Sequence, residues 1–213
     1  MKKGKFIVIE GIYGSSKVIV RLVNKLREVL VGQGNEVYEI DSPDSGRAQL
    51  MGAQDLDGSW RYGVFVADFF FELASRARVC SAVRQELEAG RIVLCKNFTI
   101  SSIVHARLKD HDWFSEDLYN LEARARSFGF GVKVVPDLTV FLDVPPEYAL
   151  DELGEKINGH FEPSDLFLQQ KYFLEELAKL PTDKMKIINA GRHEDDVFVE
   201  TLAAVQALLK RQE

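Results

Sequence analysis

A chain of 213 residues with 46% apolar and 28% charged side chains can bury a sizeable core, and that composition excludes intrinsic disorder as its default state. A net charge of −6 argues against a sequence-independent grip on a nucleic-acid polymer, which needs a concentrated basic surface, but leaves a free nucleotide in a small pocket open. Cys80 and Cys95, the only cysteines, form neither a CxxC pair nor part of a metal-ligand set, which points to a reduced, intracellular protein with no metal held by cysteine.

The first residues, Met1-Lys2-Lys3-Gly4-Lys5, are basic, but the apolar run behind them covers only residues 6–9 before Glu10 interrupts it. That run is too short for a signal peptide or a membrane span, so a cytoplasmic protein with no membrane partner is expected. Residues 6–9 read as a buried strand. Ile19, Leu22, Val23, Leu26 and Leu30 recur at helical spacing, and Gly32 and Gly34 end that helix. A second strand is expected at 36–40, a long helix from about 62 to 89 and a third strand at 91–95. The fourth and fifth strands fall at 138–142 and 185–188, and a last helix carries Phe198, Leu202, Val205 and Leu209 on one face. Strands alternating with helices predict an α/β fold with a central parallel five-stranded sheet covered on both faces. Pro145-Pro146 and Gly191 punctuate element ends, and no linker divides the chain, so one domain over 1–213 is expected.

Gly11-Ile12-Tyr13-Gly14-Ser15-Ser16-Lys17-Val18 lies between the first strand and the first helix, where backbone N–H groups and a helix N-terminus can cradle an anion. The full phosphate-loop pattern is GxxxxGK[ST], in which glycines admit the phosphates, lysine neutralises them and the hydroxyl binds Mg²⁺. Here Gly11 and Lys17 stand, Ser16 replaces the second glycine and Val18 replaces the hydroxyl. Gly11, Gly14, Ser15 and Lys17 are the loop's candidate phosphate contacts. The other reading is a plain strand-to-helix turn with an incidental lysine.

The opening Lys5-Phe6-Ile7-Val8-Ile9-Glu10-Gly11-Ile12 and the run Pro136-Asp137-Leu138-Thr139-Val140-Phe141-Leu142-Asp143-Val144-Pro145-Pro146 resemble those of thymidylate kinases. The similarity spans essentially the whole chain, including a helix at 165–177. It implies a three-layer P-loop NTPase-like fold with a short lid near residues 153–164. It also implies a kinase that moves the γ-phosphoryl group of ATP to dTMP with ATP and Mg²⁺ as cofactors. Several positions depart from that family's pattern. Tyr13 stands where the loop has an acid, and Lys96-Asn97-Phe98 replaces an Asp-Arg-Tyr run. Glu72 replaces an aromatic that stacks on the acceptor base, while the nearby arginine persists as Arg76. His160 takes the place of a lid arginine.

Lys96, Arg47 in the loop Asp41-Ser42-Pro43-Asp44-Ser45-Gly46-Arg47, and Lys156 in the lid are further phosphate-contact candidates. Lys96 and Arg47 also read as solvated charges, His160 as a surface or lid-packing residue, and Lys156 is the lid's better candidate for a phosphate contact. Tyr13, Ser16, Val18, Lys96, Asn97 and His160 together imply impaired or absent transfer on a retained scaffold, with nucleotide binding or a structural or regulatory role left. The alternative is an active nucleoside monophosphate kinase with an altered site. Phe65, Phe69 and Leu73, four residues apart, form a stripe that is either core or, by the resemblance, a homodimer face.

Overall fold

A computed structural model describes residues 3–40, 61–108, 115–127, 131–153 and 163–211, without the side chains of 61–69, 115, 116 and 163. Five strands form one all-parallel sheet: β1 (Lys5–Gly11), β2 (Val37–Ile40), β3 (Ile92–Lys96), β4 (Leu138–Asp143) and β5 (Met185–Asn189). Their spatial order is β2-β3-β1-β4-β5. The register sets Ile7 beside Leu94 and Leu138, and Val8 beside Cys95 and Thr139. Seven helices are seen among the described residues: α1 (Ser16–Gly32), α2 (Arg61–Glu88), α3 (Thr99–Leu108), α4 (Ser115–Ser127), α5 (Pro146–Leu153), α6 (Pro163–Leu177) and α7 (Glu194–Lys210).

The near-continuous apolar strands follow from burial on both faces. Ile7 and Ile9 meet Ile19, Val23 and Leu26 of α1 on one face, whereas Phe6 and Val8 meet Cys80 and Val83 of α2 on the other. Phe141 stacks on Phe173 of α6 with ring centroids 4.9 Å apart. At the end of α1, Gly34 turns to φ 82°, and the N–H groups of Gln33, Gly34 and Asn35 close onto Val29, Val31 and Leu30. Pro146 opens α5, where a missing N–H costs nothing.

Two expectations change. The first strand does not stop at residue 9: Glu10 continues it, because its carboxylate is buried and hydrogen-bonded rather than turned to solvent. On α7 the fully buried line is Val197, Thr201, Val205 and Leu208, and Phe198, Leu202 and Leu209 pack half-buried beside it. Thr201 enters that line because its hydroxyl donates to the Val197 carbonyl at 2.7 Å, so the polar group is satisfied inside its own helix.

Candidate functional site

β1 runs into α1 on one face of the sheet, while its neighbour β3 runs into α3 on the other. The two strands stay paired to Ile9 and Lys96, and the chain then leaves them in opposite directions, which is where a parallel sheet opens a ligand crevice. One lip is the loop 11–18. Gly14 adopts φ 85°, and a Cβ there would stand 2.4 Å from the Ala149 carbonyl oxygen of α5, so the loop lies directly against that helix. Inside the loop the buried Ser15 hydroxyl donates to the Ile12 carbonyl at 2.5 Å and fills the space that a Cβ on Gly11 would need.

Side chains from three helices grip this loop. Gln169 of α6 accepts the Tyr13 N–H at 2.8 Å, and the Tyr13 hydroxyl meets the His105 ring of α3 at 3.0 Å. The Lys17 ammonium stands 2.7 Å from Glu152 of α5. Ser16 begins α1, and Val18 packs half-buried against the core.

The other lip is Lys96-Asn97-Phe98. Lys96 pairs with Glu39 of β2 at 2.7 Å. Asn97 takes φ 55°, a left-handed backbone that asparagine tolerates, and its N–H donates to the Ile9 carbonyl. Its side-chain oxygen is buried without a hydrogen-bond donor. Glu10 joins the two lips. It accepts the Phe98 N–H at 3.0 Å and the Ser101 hydroxyl, and burial pushes its carboxyl up to about 7 against these bonds and the nearby Arg76.

Arg76 lies beneath this lip, only 1% exposed. It donates to the Phe98 carbonyl at 2.9 Å and to Ser102, and its guanidinium lies 4.5 Å from the Phe98 ring centroid. Glu72 and Glu122 stand 3.7 and 3.6 Å away, ion-paired but too far for hydrogen bonds. Arg47, Lys156 and His160 lie outside the described residues. Leu73 packs inward with Ile103, Ala106 and Leu118, and the side chains of Phe65 and Phe69 are outside the description.

Beyond Gly14 and Val18 a cavity of about 360 Å³ opens between α1, α5 and α7, with Leu22, Val144, Val197 and Phe198 as its apolar wall. That size and lining suit a small organic ligand. Sequence reasoning missed Glu10, His105, Glu152 and Gln169. A lone acid inside an apolar strand was a readable signal for Glu10; the other three reach the loop only through tertiary packing.

The thymidylate kinase family model matches residues 9–200, and so covers both lips and the cavity. The chain belongs to the thymidylate kinase family. It is 27% identical to a thymidylate kinase of Desulfovibrio desulfuricans over 97% of both chains, and 27% identical to one of Shouchella clausii over 98% of both. A probable thymidylate kinase of Methanococcoides burtonii is 24% identical, over 98% of this chain and 99% of its own. The family implies nucleotide substrates, ATP and dTMP, and among the described residues no helix is long and apolar enough to cross a membrane.

Proposed function

We propose that this thymidylate kinase family member binds a nucleotide and transfers the phosphoryl group poorly or not at all. The observation that carries this reading is Val18. It follows the loop lysine at the first turn of α1, packs against the core and offers no oxygen to a metal ion. The residues present at the loop do not fit Mg²⁺: Val18 brings no hydroxyl, and Lys96 is a cation already paired with Glu39. Tyr13 adds no charge to the loop, because its hydroxyl is a neutral phenol in contact with His105. Support for retained binding comes from the loop's outline at Gly11, Gly14 and Lys17 and from the cavity beside it.

A coupled assay with ATP and dTMP tests the transfer half, and turnover at ordinary kinase rates, about 1–100 s⁻¹, would overturn it. Calorimetry with ATP in chelator and in Mg²⁺ tests the binding half: the same affinity in both is expected, and binding that requires the metal contradicts it. The second reading, an active nucleoside monophosphate kinase, is favoured by end-to-end similarity to proteins named thymidylate kinase. The same assay decides between them.

We also propose a single domain, a cytoplasmic location and, from the resemblance, a homodimer through α2. Since Leu73 is turned inward, the dimer face would be built from other residues of that helix. Light scattering after gel filtration tests the dimer; a monomer at micromolar concentration rejects it.

A further inference from the structure

The cavity beside the loop is ringed by cations that this chain has already neutralised. Arg21 pairs with Glu194 at 2.8 Å and Lys25 with Asp195 at 2.6 Å, and Arg192 reaches Glu200 at 2.5 Å. Lys17 lies beside the cavity rather than on its lining, where the loop would meet a phosphate, and its partner Glu152 does line the cavity. Ala149 and Glu152 lie one helical turn apart on α5, so a single turn presents both the carbonyl that backs Gly14 and the carboxylate that meets Lys17. The loop thus meets two oxygens of α5, the Ala149 carbonyl behind Gly14 and the Glu152 carboxylate at Lys17.

We infer that Glu152 is a specificity-determining residue: it stands in for a phosphate at Lys17 and makes the cavity favour a nucleoside or nucleoside monophosphate over a nucleoside triphosphate. The inference rests on the nucleotide-binding reading above and concerns which ligand charge that site accepts. A triphosphate reaching Lys17 must displace Glu152 or lie beside its negative charge, and the repulsion grows with each added phosphate. A nucleoside meets no such conflict, because the apolar wall of Leu22, Val144, Val197 and Phe198 carries no net charge. The hydrogen bond and charge of Lys17 hold the Glu152 carboxyl below its usual range, so the acid is ionised throughout the neutral range. Both side chains also reach solvent, so replacing Glu152 leaves no buried charge behind.

The test is calorimetry with adenosine, AMP, ADP and ATP at constant ionic strength in chelator, on the native chain and on Glu152→Gln, with thermal melts to confirm that both are folded. In the native chain, affinity is expected to stay level or fall from adenosine to ATP. In Glu152→Gln, ATP should bind about tenfold tighter than before while adenosine moves less than about twofold. Adding Lys17→Ala to Glu152→Gln should abolish that gain, because the freed cation is its source. Adenosine or AMP binding by the native chain, with ATP bound measurably only by Glu152→Gln, also supports the inference and keeps the binding reading. An ATP-to-adenosine affinity ratio that is the same in both proteins overturns it and leaves the binding reading intact. Absence of binding by all four ligands in both proteins overturns both.

Discussion

The Glu10 carboxylate accepts the Phe98 backbone N–H at 3.0 Å, tying the end of β1 to the entry of α3 across the crevice. Burial makes this tie sensitive to pH. It raises the Glu10 carboxyl from 4.5 to about 7, so the native chain holds that proton more tightly than the unfolded chain does. The stabilisation is therefore complete below about pH 4.5 and is lost as pH rises through about 7, to a limit of about 3 kcal/mol. Urea midpoints of the native chain should fall between pH 5 and pH 8 relative to those of Glu10→Gln. Glu122, also raised by burial, titrates in both proteins, so the difference between them isolates Glu10. Parallel pH profiles reject this assignment.

Arg76 is the second buried charge at this end of the sheet, and its surroundings predict asymmetric mutational costs. Glu122, itself 1% exposed, has Arg76 within 3.6 Å and no hydrogen-bond donor on either oxygen. Arg76→Met should therefore destabilise by about 3–5 kcal/mol, because it leaves the buried acid with only Arg126 and Lys133 as countercharges. Adding Glu122→Leu should recover part of that loss, since it removes the under-compensated acid and fills the space with apolar atoms, while Arg126 loses a countercharge. Denaturant curves on the two variants measure this, and a double variant no more stable than Arg76→Met contradicts it.

Two glycines with nearly the same φ separate conformational strain from crowding. Gly14 and Gly34 have φ 85° and 82°, but a Cβ at Gly14 meets the Ala149 carbonyl at 2.4 Å, whereas one at Gly34 meets nothing within 4 Å. Gly34→Ala should cost about 1–2 kcal/mol, the left-handed penalty alone. Gly14→Ala must also push α5 off the loop, so its melting temperature should fall further. Equal losses would mean that the contact between loop and α5 is loose.

Much of the fold was legible because parallel strands buried on both faces are near-continuous apolar runs. All five strands were located to within a residue or two, and α1 and α2 followed from spacing and glycine stops. The helices α3, α4 and α5 escaped notice. The first of them buries Thr99 and Ser102 along with its apolar residues, so its polar side chains do not mark an outer face. The site divides in the same way. The loop 11–18 could be read because it sits between adjacent elements in sequence, whereas its contacts cross the fold, Gln169 being 156 residues from Tyr13 and His105 being 92. Nothing local in Glu152 marks it as the partner of Lys17.

The last helix offers a test of where a periodicity argument goes astray. Counting only apolar residues selects Phe198, Leu202, Val205 and Leu209, but the sheet faces Val197, Thr201, Val205 and Leu208, because a threonine bonded to its own helix can be buried. Leu208 and Leu209 are chemically identical neighbours assigned to opposite sides of that distinction. Leu208 is 8% exposed within the core cluster, while Leu209 packs only at its margin. Leu208→Ala should cost about 2–3 kcal/mol, towards the lower end for a buried leucine near a helix end, and Leu209→Ala about 1 kcal/mol, in proportion to the apolar area each removes from water. Urea unfolding of the two variants reads the difference directly. If Leu209→Ala is the more damaging, the apolar count identifies the packed face of α7 and the buried threonine line does not.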